Sequence, residues 1–390
     1  MPVLLLMVVG AIAFWITRTA SGRAVFKGTF IYFIIMFPSR RWHLPAFLAP
    51  PIIRHEPTIQ MKGRTLKPDI YRVGRASKRR RPGIIIYAPL APEGNRDPYV
   101  INFLQAMARI GFVVMVPNWP DRPVGLMDGG DIEELEVSIA RLREEPDIDP
   151  NRIGVIAVSY GAGPALIVAA KRAFKDQLQY VMTIGGYVDL WTVFRFAGNG
   201  KVRIGDHEVW QLQPHPYMRY VLLQTVASWT TKKEDARVIQ AFLGKIRDFA
   251  APLYLATLRQ LVSKETRDII DALEHISDGM PLSELRRIFP ASFRAKLDEL
   301  SLTPAMLHAI TARILIVHTT NDRLVPYSEA RLLRRHLRKN QQPILSTLSG
   351  FDHTIPPPAT PANFFGIYAP NALKIIPLLY TFFRMQEPER

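Results

Sequence analysis

A mostly parallel α/β sheet wound on both faces by helices, with a helical insertion late in the chain and a hydrophobic segment at its start, is the fold class the sequence predicts. Three observations carry it. Short apolar runs alternate with helical patterns from Gly83 to Ile184. That alternation lapses near Val188 and resumes at Arg313. The run Pro2–Thr17 holds no charged side chain. With 390 residues, 48% of them hydrophobic, the chain can fill one large core carrying an insertion.

Sixteen helical residues span about 24 Å, short of a hydrocarbon layer of about 30 Å. Pro2–Thr17 crosses a bilayer only with local thinning or with Arg18 reaching for the headgroups. We read it as a membrane anchor; a cleaved signal peptide and a buried helix are the alternatives. No basic residue precedes the run and no A-x-A site follows it, which speaks against the signal peptide. Phe30–Phe37, bounded by Lys27 and Pro38, reads as an interfacial or re-entrant piece or the return leg of a hairpin. Arg18, Arg23, Lys27, Arg40 and Arg41 follow the first run, so a single span leaves the body in the cytoplasm. Two spans would place it outside.

The net charge of +16 belongs to the leader. Residues 1–81 carry 15 Lys/Arg against Glu56 and Asp69, a net +13, which leaves the remainder at +3. A nearly neutral body excludes a basic nucleic-acid face. The basic leader suits a membrane surface rich in anionic headgroups. Lys78–Arg81 also reads simply as a solvated loop. The absence of cysteine rules out disulfides, thiolate metal sites and a cysteine nucleophile.

Within the body, Thr58–Val73 reads as a strand pair turning at Lys62-Gly63. Gly83–Tyr87 is a strand buried on both faces, Tyr99–Ile110 a helix, and Phe112–Val116 the next strand. Asp131–Glu144 is a helix, Arg152–Val158 a strand, Ala162–Ala173 a helix and Tyr180–Ile184 a strand. Such alternation builds a parallel sheet whose reactive groups gather at the carboxyl ends of its strands. Between Val188 and Ile310 come a hairpin, Lys201–Trp210, and helical patterns at 217–229, 234–249, 265–276, 282–289 and 303–310. An insertion of this size, placed just before the strand at Ile314, reads as a cap. The expected units are a membrane-associating segment 1–42, a core in two parts, 43–187 and 311–390, and the cap 188–310. Since the sheet is expected to start near Thr58, removal of residues 1–42 should leave the body intact.

The chemistry-bearing residues sit at three strand ends. Ile153–Val158 breaks into Ser159, with Ala157 and Gly161 two places either side, and continues as a helix. That is the layout of a tight turn lifting a serine hydroxyl clear of a sheet. Ile314–Val317 leads to Asp322, and Gly350-Phe-Asp-His353 follows. A serine needs a base within reach, and the base needs an acid to orient it. His353 is the histidine that lies in a loop beyond Asp322; His336 falls in the helical run Ser328–Arg338, and His318 ends a strand. Asp352 is the competing acid, but adjacent side chains point apart. No metal-ligand spacing and no phosphate-binding glycine loop occurs, so neither metal nor cofactor is expected.

These residues resemble the α/β-hydrolase superfamily over about residues 58–390. Tyr87–Gly94, Leu104–Pro117 and Gly185–Asp189 are similar to dienelactone-hydrolase-like and esterase-like members. The resemblance implies Ser159 as nucleophile, Asp322 as acid and His353 as base. It also implies an oxyanion hole from the Tyr160 amide and the Leu90 amide, with Ala91 as the next choice. Ala157 replaces the first glycine of the usual G-x-S-x-G, and the loop after Tyr87 lacks the His-Gly-Gly of many lipases. A dienelactone hydrolase itself uses cysteine, which this chain lacks. The expectation is a membrane-associated serine hydrolase of small or lipid-like carboxylic esters. A peptidase or acyltransferase using the same triad, or a non-catalytic scaffold, are the alternatives.

Overall fold

The computed structural model describes residues 11, 14–36, 51–74, 79–90, 96–204, 208–246, 248, 255–274, 280–338, 341 and 343–387. In chain order the strands are β1 (Ile52–His55), β2 (Ile59–Met61), β3 (Arg64–Leu66), β4 (Asp69–Val73), β5 (Arg81–Tyr87) and β6 (Val113–Val116). They continue as β7 (Ile148–Val158), β8 (Tyr180–Ile184), β9 (Lys201–Ile204), β10 (Glu208–Gln211), β11 (Arg313–Thr319) and β12 (Ile344–Leu348). Eight of them form one sheet in the order β1-β4-β6-β5-β7-β8-β11-β12. The β1–β4 and β4–β6 pairs are antiparallel and the rest parallel. β2 and β3 make a separate hairpin turning at Lys62-Gly63, where Gly63 takes φ 73°. A left-handed residue in a two-residue turn is most easily glycine.

The body helices are α1 (Ala20–Met36), α2 (Pro98–Arg109), α3 (Gly130–Arg143) and α4 (Ala162–Ala170). The stretch between β8 and β11 holds α5 (Leu190–Asn199), the β9–β10 hairpin, α6 (Pro216–Trp229), α7 (Lys233–Leu243), α8 (Ala256–Leu261) and α9 (Lys264–Glu274). It ends with α10 (Leu282–Ile288), α11 (Ala291–Glu299) and α12 (Pro304–Ala309). After β11 come α13 (Ser328–His336) and α14 (Ala369–Gln386).

Strand residues alternate between two cores, as the pleat requires. Ile84, Ile86, Ile156, Met182, Leu315 and Val317 face a layer made of α1, α2 and α14. Ile85, Tyr87, Val155, Ala157, Val181, Ile314 and Ile316 face the other layer, which includes α3, α4, α13 and helices of the stretch between β8 and β11.

The leader departs from its expected role. Phe30–Met36, read above as an interfacial or re-entrant piece, is the last part of α1, and Ile31, Tyr32, Ile34 and Met36 are buried in the body. α1 lies along α14: a Cβ on Gly28 would sit 3.3 Å from the Leu379 Cβ. Buried Glu387 pairs with Arg23 at 2.5 Å and Lys27 at 2.7 Å. Tyr32 donates to the Tyr368 carbonyl at 2.5 Å. Over Ala20–Met36 the unit expected at 1–42 is therefore packed into the body, and its removal would uncover α14. The physical reason is that α14, its partner, is remote in sequence, so local reading saw an apolar run with nothing to cover it. Among the described residues no helix is long and apolar enough to cross a membrane. The anchor expected at Pro2–Thr17 lies mostly outside the described residues.

Candidate active site

β7 ends at Val158, and Ser159 begins a single 3-10 turn, Ser159–Gly161, that runs directly into α4. Ser159 has φ 55°, a left-handed value. Among the described residues only one other non-glycine, His353 at φ 56°, does the same. Such strain persists where the surroundings over-determine it, and it concentrates at functional sites. Here the surroundings are tight. A Cβ on Gly161 would lie 2.5 Å from the Tyr87 carbonyl oxygen, and one on Gly163 would lie 2.1 Å from the Tyr187 hydroxyl. Ala157, in place of the first glycine, is fully buried between Tyr87 and Thr183 in register, so its methyl fits.

The acid and the base meet. Asp322, fully buried, accepts the His353 Nδ1–H on Oδ2 at 2.6 Å. Its other oxygen, Oδ1, accepts the amides of Leu324 and Val325 at 2.9 and 2.8 Å. Burial pushes the Asp322 carboxyl up, but the charge and hydrogen bond of His353, the charge of His318 and the Val325 amide together hold it below its ordinary value. Asp322 is therefore a carboxylate throughout the neutral range. The His353 carbonyl accepts the Thr319 hydroxyl at 2.8 Å, which fixes the loop. With Nδ1 committed to Asp322, the buried His353 Nε2 has no hydrogen-bond partner among the described residues. An orphaned ring nitrogen of that kind is available to a hydroxyl or a substrate.

Register brings the serine to the same edge. Val158 pairs with Ile184 and Ile184 with Val317, so Ser159, Gly185 and the turn carrying Asp322 all leave neighbouring strands at their carboxyl ends. Gly185, at φ 60°, leaves room for the imidazole; a Cβ there would lie 2.6 Å from the His353 Cε1. The competing acid, Asp352, is directed elsewhere, with Oδ2 3.6 Å from Arg323. His318, lowered by burial, donates from Nε2 to the Val325 carbonyl at 2.9 Å and so buttresses the turn.

Of the two expected amide donors, Tyr160 follows Ser159 directly. Its buried ring stacks on Tyr187, and its hydroxyl bonds the Asp128 backbone. Leu90 follows β5, the strand beside β7, and its carbonyl accepts the Tyr217 hydroxyl at 2.6 Å. Ala91 lies outside the described residues.

Tyr217 and His215, at the start of α6, were not expected here. The His215 amide donates to the Arg323 carbonyl at 2.8 Å, and Arg323 returns a bond to the Gln213 carbonyl at 2.9 Å. Burial lowers His215, partly offset by the charge of Asp352. The stretch between β8 and β11 thus touches the loops after β5 and β11. The one sequence signal at this place is Pro216, which marks a helix start and says nothing of what the helix crosses. Among the described residues no group of three or more His, Asp or Glu could hold a metal ion.

No protein-family model matches the chain, and no curated protein does. Solved structures do. A puromycin-hydrolysing peptidase of Mycobacterium tuberculosis superposes with a TM-score of 0.50 at 12% identity, over 90% of this chain and 42% of that one. Brefeldin A esterase, a bacterial homologue of human hormone-sensitive lipase, gives 0.48 at 12% identity, over 94% and 86%. A hypothetical protein of Pseudomonas aeruginosa gives 0.45 at 15%, over 86% and 94%. This chain thus spans about two fifths of the peptidase's length and most of the other two. With its strand order, its serine turn after β7 and its likeness to the peptidase, the chain has the fold of the α/β-hydrolase superfamily.

Proposed function

We propose that the protein is a serine hydrolase that cleaves carboxylic esters through an acyl-enzyme. The observation that carries this reading is the His353–Asp322 pair, with its imidazole Nε2 unpartnered, on the sheet edge where Ser159 stands in a left-handed turn. As the Ser159 Oγ bonds to the ester carbonyl carbon, its proton passes to His353 Nε2. The carbonyl oxygen takes the negative charge and receives the Tyr160 and Leu90 amides; one such donor is worth about 3 kcal/mol. Collapse breaks the bond to the alcohol, which leaves with the proton from Nε2. Water then gives a proton to Nε2 as its oxygen attacks the acyl carbon, and return of that proton to Oγ frees the serine and the acid. Asp322 stays ionised and stabilises the imidazolium.

The helices between β8 and β11 act as a cap. The contacts of Tyr217 with Leu90, and of Gln213 and His215 with Arg323, support a seat over the carboxyl edge of the sheet. Pro2–Thr17 and the basic residues behind it support association with a membrane, with the body on the cytoplasmic side. Substrates with apolar acyl groups fit such a setting.

A panel of p-nitrophenyl esters and anilides, run with a fluorophosphonate probe, tests the reading. Ester turnover and labelling are expected in the wild type, and both should vanish in Ser159→Ala with the fold intact. Substantial turnover by that variant, or anilide cleavage outrunning ester cleavage, contradicts it.

A further inference from the structure

At the amino ends of the strands, away from the catalytic edge, the body carries an open groove lined by Arg79, Arg80, Arg152, Arg313 and Arg384 against Asp149 and Glu387. Gly154 pairs with Tyr180 and Tyr180 with Arg313, so Arg152, Gln179 and Arg313 stand side by side. α14 ends there: the Gln386 carbonyl accepts Arg152 at 2.8 Å, and the Met385 carbonyl accepts Gln179 at 3.2 Å. Both carboxylates are taken, Asp149 by Arg152 at 2.8 Å and Glu387 by Arg23 and Lys27 of α1. Closing the fold accounts for these groups. It does not account for the exposed side chain of Arg80 or the half-buried one of Arg384.

The leader meets the body at this groove. The Ser21 hydroxyl lies 3.2 Å from that of Tyr380, and Tyr380 and Glu387 are both groove residues. In the helical turn before α1, Phe14 and Trp15 are 65% and 41% exposed. Exposed aromatics beside clustered arginines suit the headgroup layer of a bilayer, where rings sit at the interface and guanidinium forks match phosphate oxygens. We propose that this groove lays the body on an anionic bilayer, its arginines on lipid phosphates, with Ser159 opening away from the membrane that holds the leader. The proposal rests on the membrane association proposed above and adds which face meets the lipid. Arg313 and Thr319 are the two ends of β11, so about 20 Å separates the groove from the catalytic edge. An ester then reaches Ser159 from the water side.

The chain has no cysteine, so one introduced cysteine carries a single label. Thr381→Cys puts an NBD fluorophore in the groove, and Ile355→Cys puts it on the exposed loop after His353. Full-length protein is mixed with vesicles of phosphatidylcholine, alone or with phosphatidylglycerol, and sedimentation measures binding. On the mixed vesicles the Thr381→Cys label should shift to the blue and be quenched by doxyl-labelled lipid. The Ile355→Cys label should stay as it is in water. Adding Arg80→Glu with Arg384→Glu should cut the quenching at Thr381→Cys at least tenfold while the protein still sediments. Circular dichroism checks that every variant folds.

Quenching at Ile355→Cys overturns the proposal, and so does quenching at Thr381→Cys that ignores the two arginines. Sedimentation with no quenching at Thr381→Cys also overturns it, leaving the leader as an anchor and the groove without a role in it. Protein that sediments with neither vesicle sinks membrane association and groove together. If sodium phosphate without vesicles shifts the Thr381→Cys label and lipid does not quench it, the groove holds a free anion instead.

Discussion

The two faces of the sheet are finished in different ways. One is closed by α1, α2 and α14, two of them from opposite ends of the chain, and its core is almost wholly apolar. The other is closed by crossover helices and the helices between β8 and β11, and it keeps polar groups inside: Arg122 is paired with Asp131 at 2.5 Å, and Glu329 receives the amides of Val188 and Asp189. The same strands serve both by alternation. The candidate chemistry belongs to neither face, since Ser159, Asp322 and His353 stand on the edge the two share.

Breaking the shared edge should have the largest effect. Asp322→Asn and His353→Ala are each expected to lower ester turnover by several orders of magnitude. The double variant should be no worse than the poorer single one, because a triad acts as a unit. Steady-state rates with the best ester decide it. If Asp322→Asn is near wild type while Asp352→Asn is dead, the acid is misassigned.

Removing one layer of the apolar face comes next. Ile31, Tyr32, Ile34 and Met36 are almost fully buried in α1, and each such side chain contributes about 1.5–3 kcal/mol. As an upper bound their sum matches the whole stability of a typical domain, about 5–15 kcal/mol. A chain starting after residue 42 should therefore be insoluble or unfolded, while one starting after Arg18 should keep its melting temperature within a few degrees. Differential scanning fluorimetry and yield compare the two. A well-folded, active protein from the shorter chain would show that α1 is dispensable.

How much of this could be read beforehand follows the same division. The serine turn, the strand with its acid and the loop histidine were legible because each is a local pattern: an apolar run, then a small-residue turn or a loop. The parallel order β5, β7, β8, β11 followed from alternation. α1 and α14 were not legible as partners, because nothing near Ala20–Met36 announces that Leu379 and Phe383 will cover it. α5 and α11 escaped for a different reason. Each is short, and its contacts, such as the Trp191 indole donating to Asp298, join segments between β8 and β11 that are far apart in sequence. The closeness of Tyr217 to Leu90 is purely tertiary.

The smallest effect sharpens the polar face. Burial pushes Glu329 up to about 7, against the pull of the Asp189 and Val188 amides. A raised folded value means the protonated form stabilises the fold; that contribution is complete below the ordinary value near 4.5 and is lost as pH rises through about 7. Glu329→Gln should therefore be more thermostable than wild type at pH 8, by about 3 kcal/mol at most, and no more so at pH 4. Urea melts across that range give the sign. A difference that does not grow with pH would show that Glu329 is ionised in the fold at no cost.

The central claim is that Ser159 is a nucleophile driven by the His353–Asp322 pair. Mass mapping of the fluorophosphonate adduct tests it most directly. The account predicts one phosphonylated peptide, modified at Ser159, with the rate of labelling collapsing in His353→Ala. An adduct on another residue, or labelling of Ser159 at the same rate without the imidazole, would contradict it.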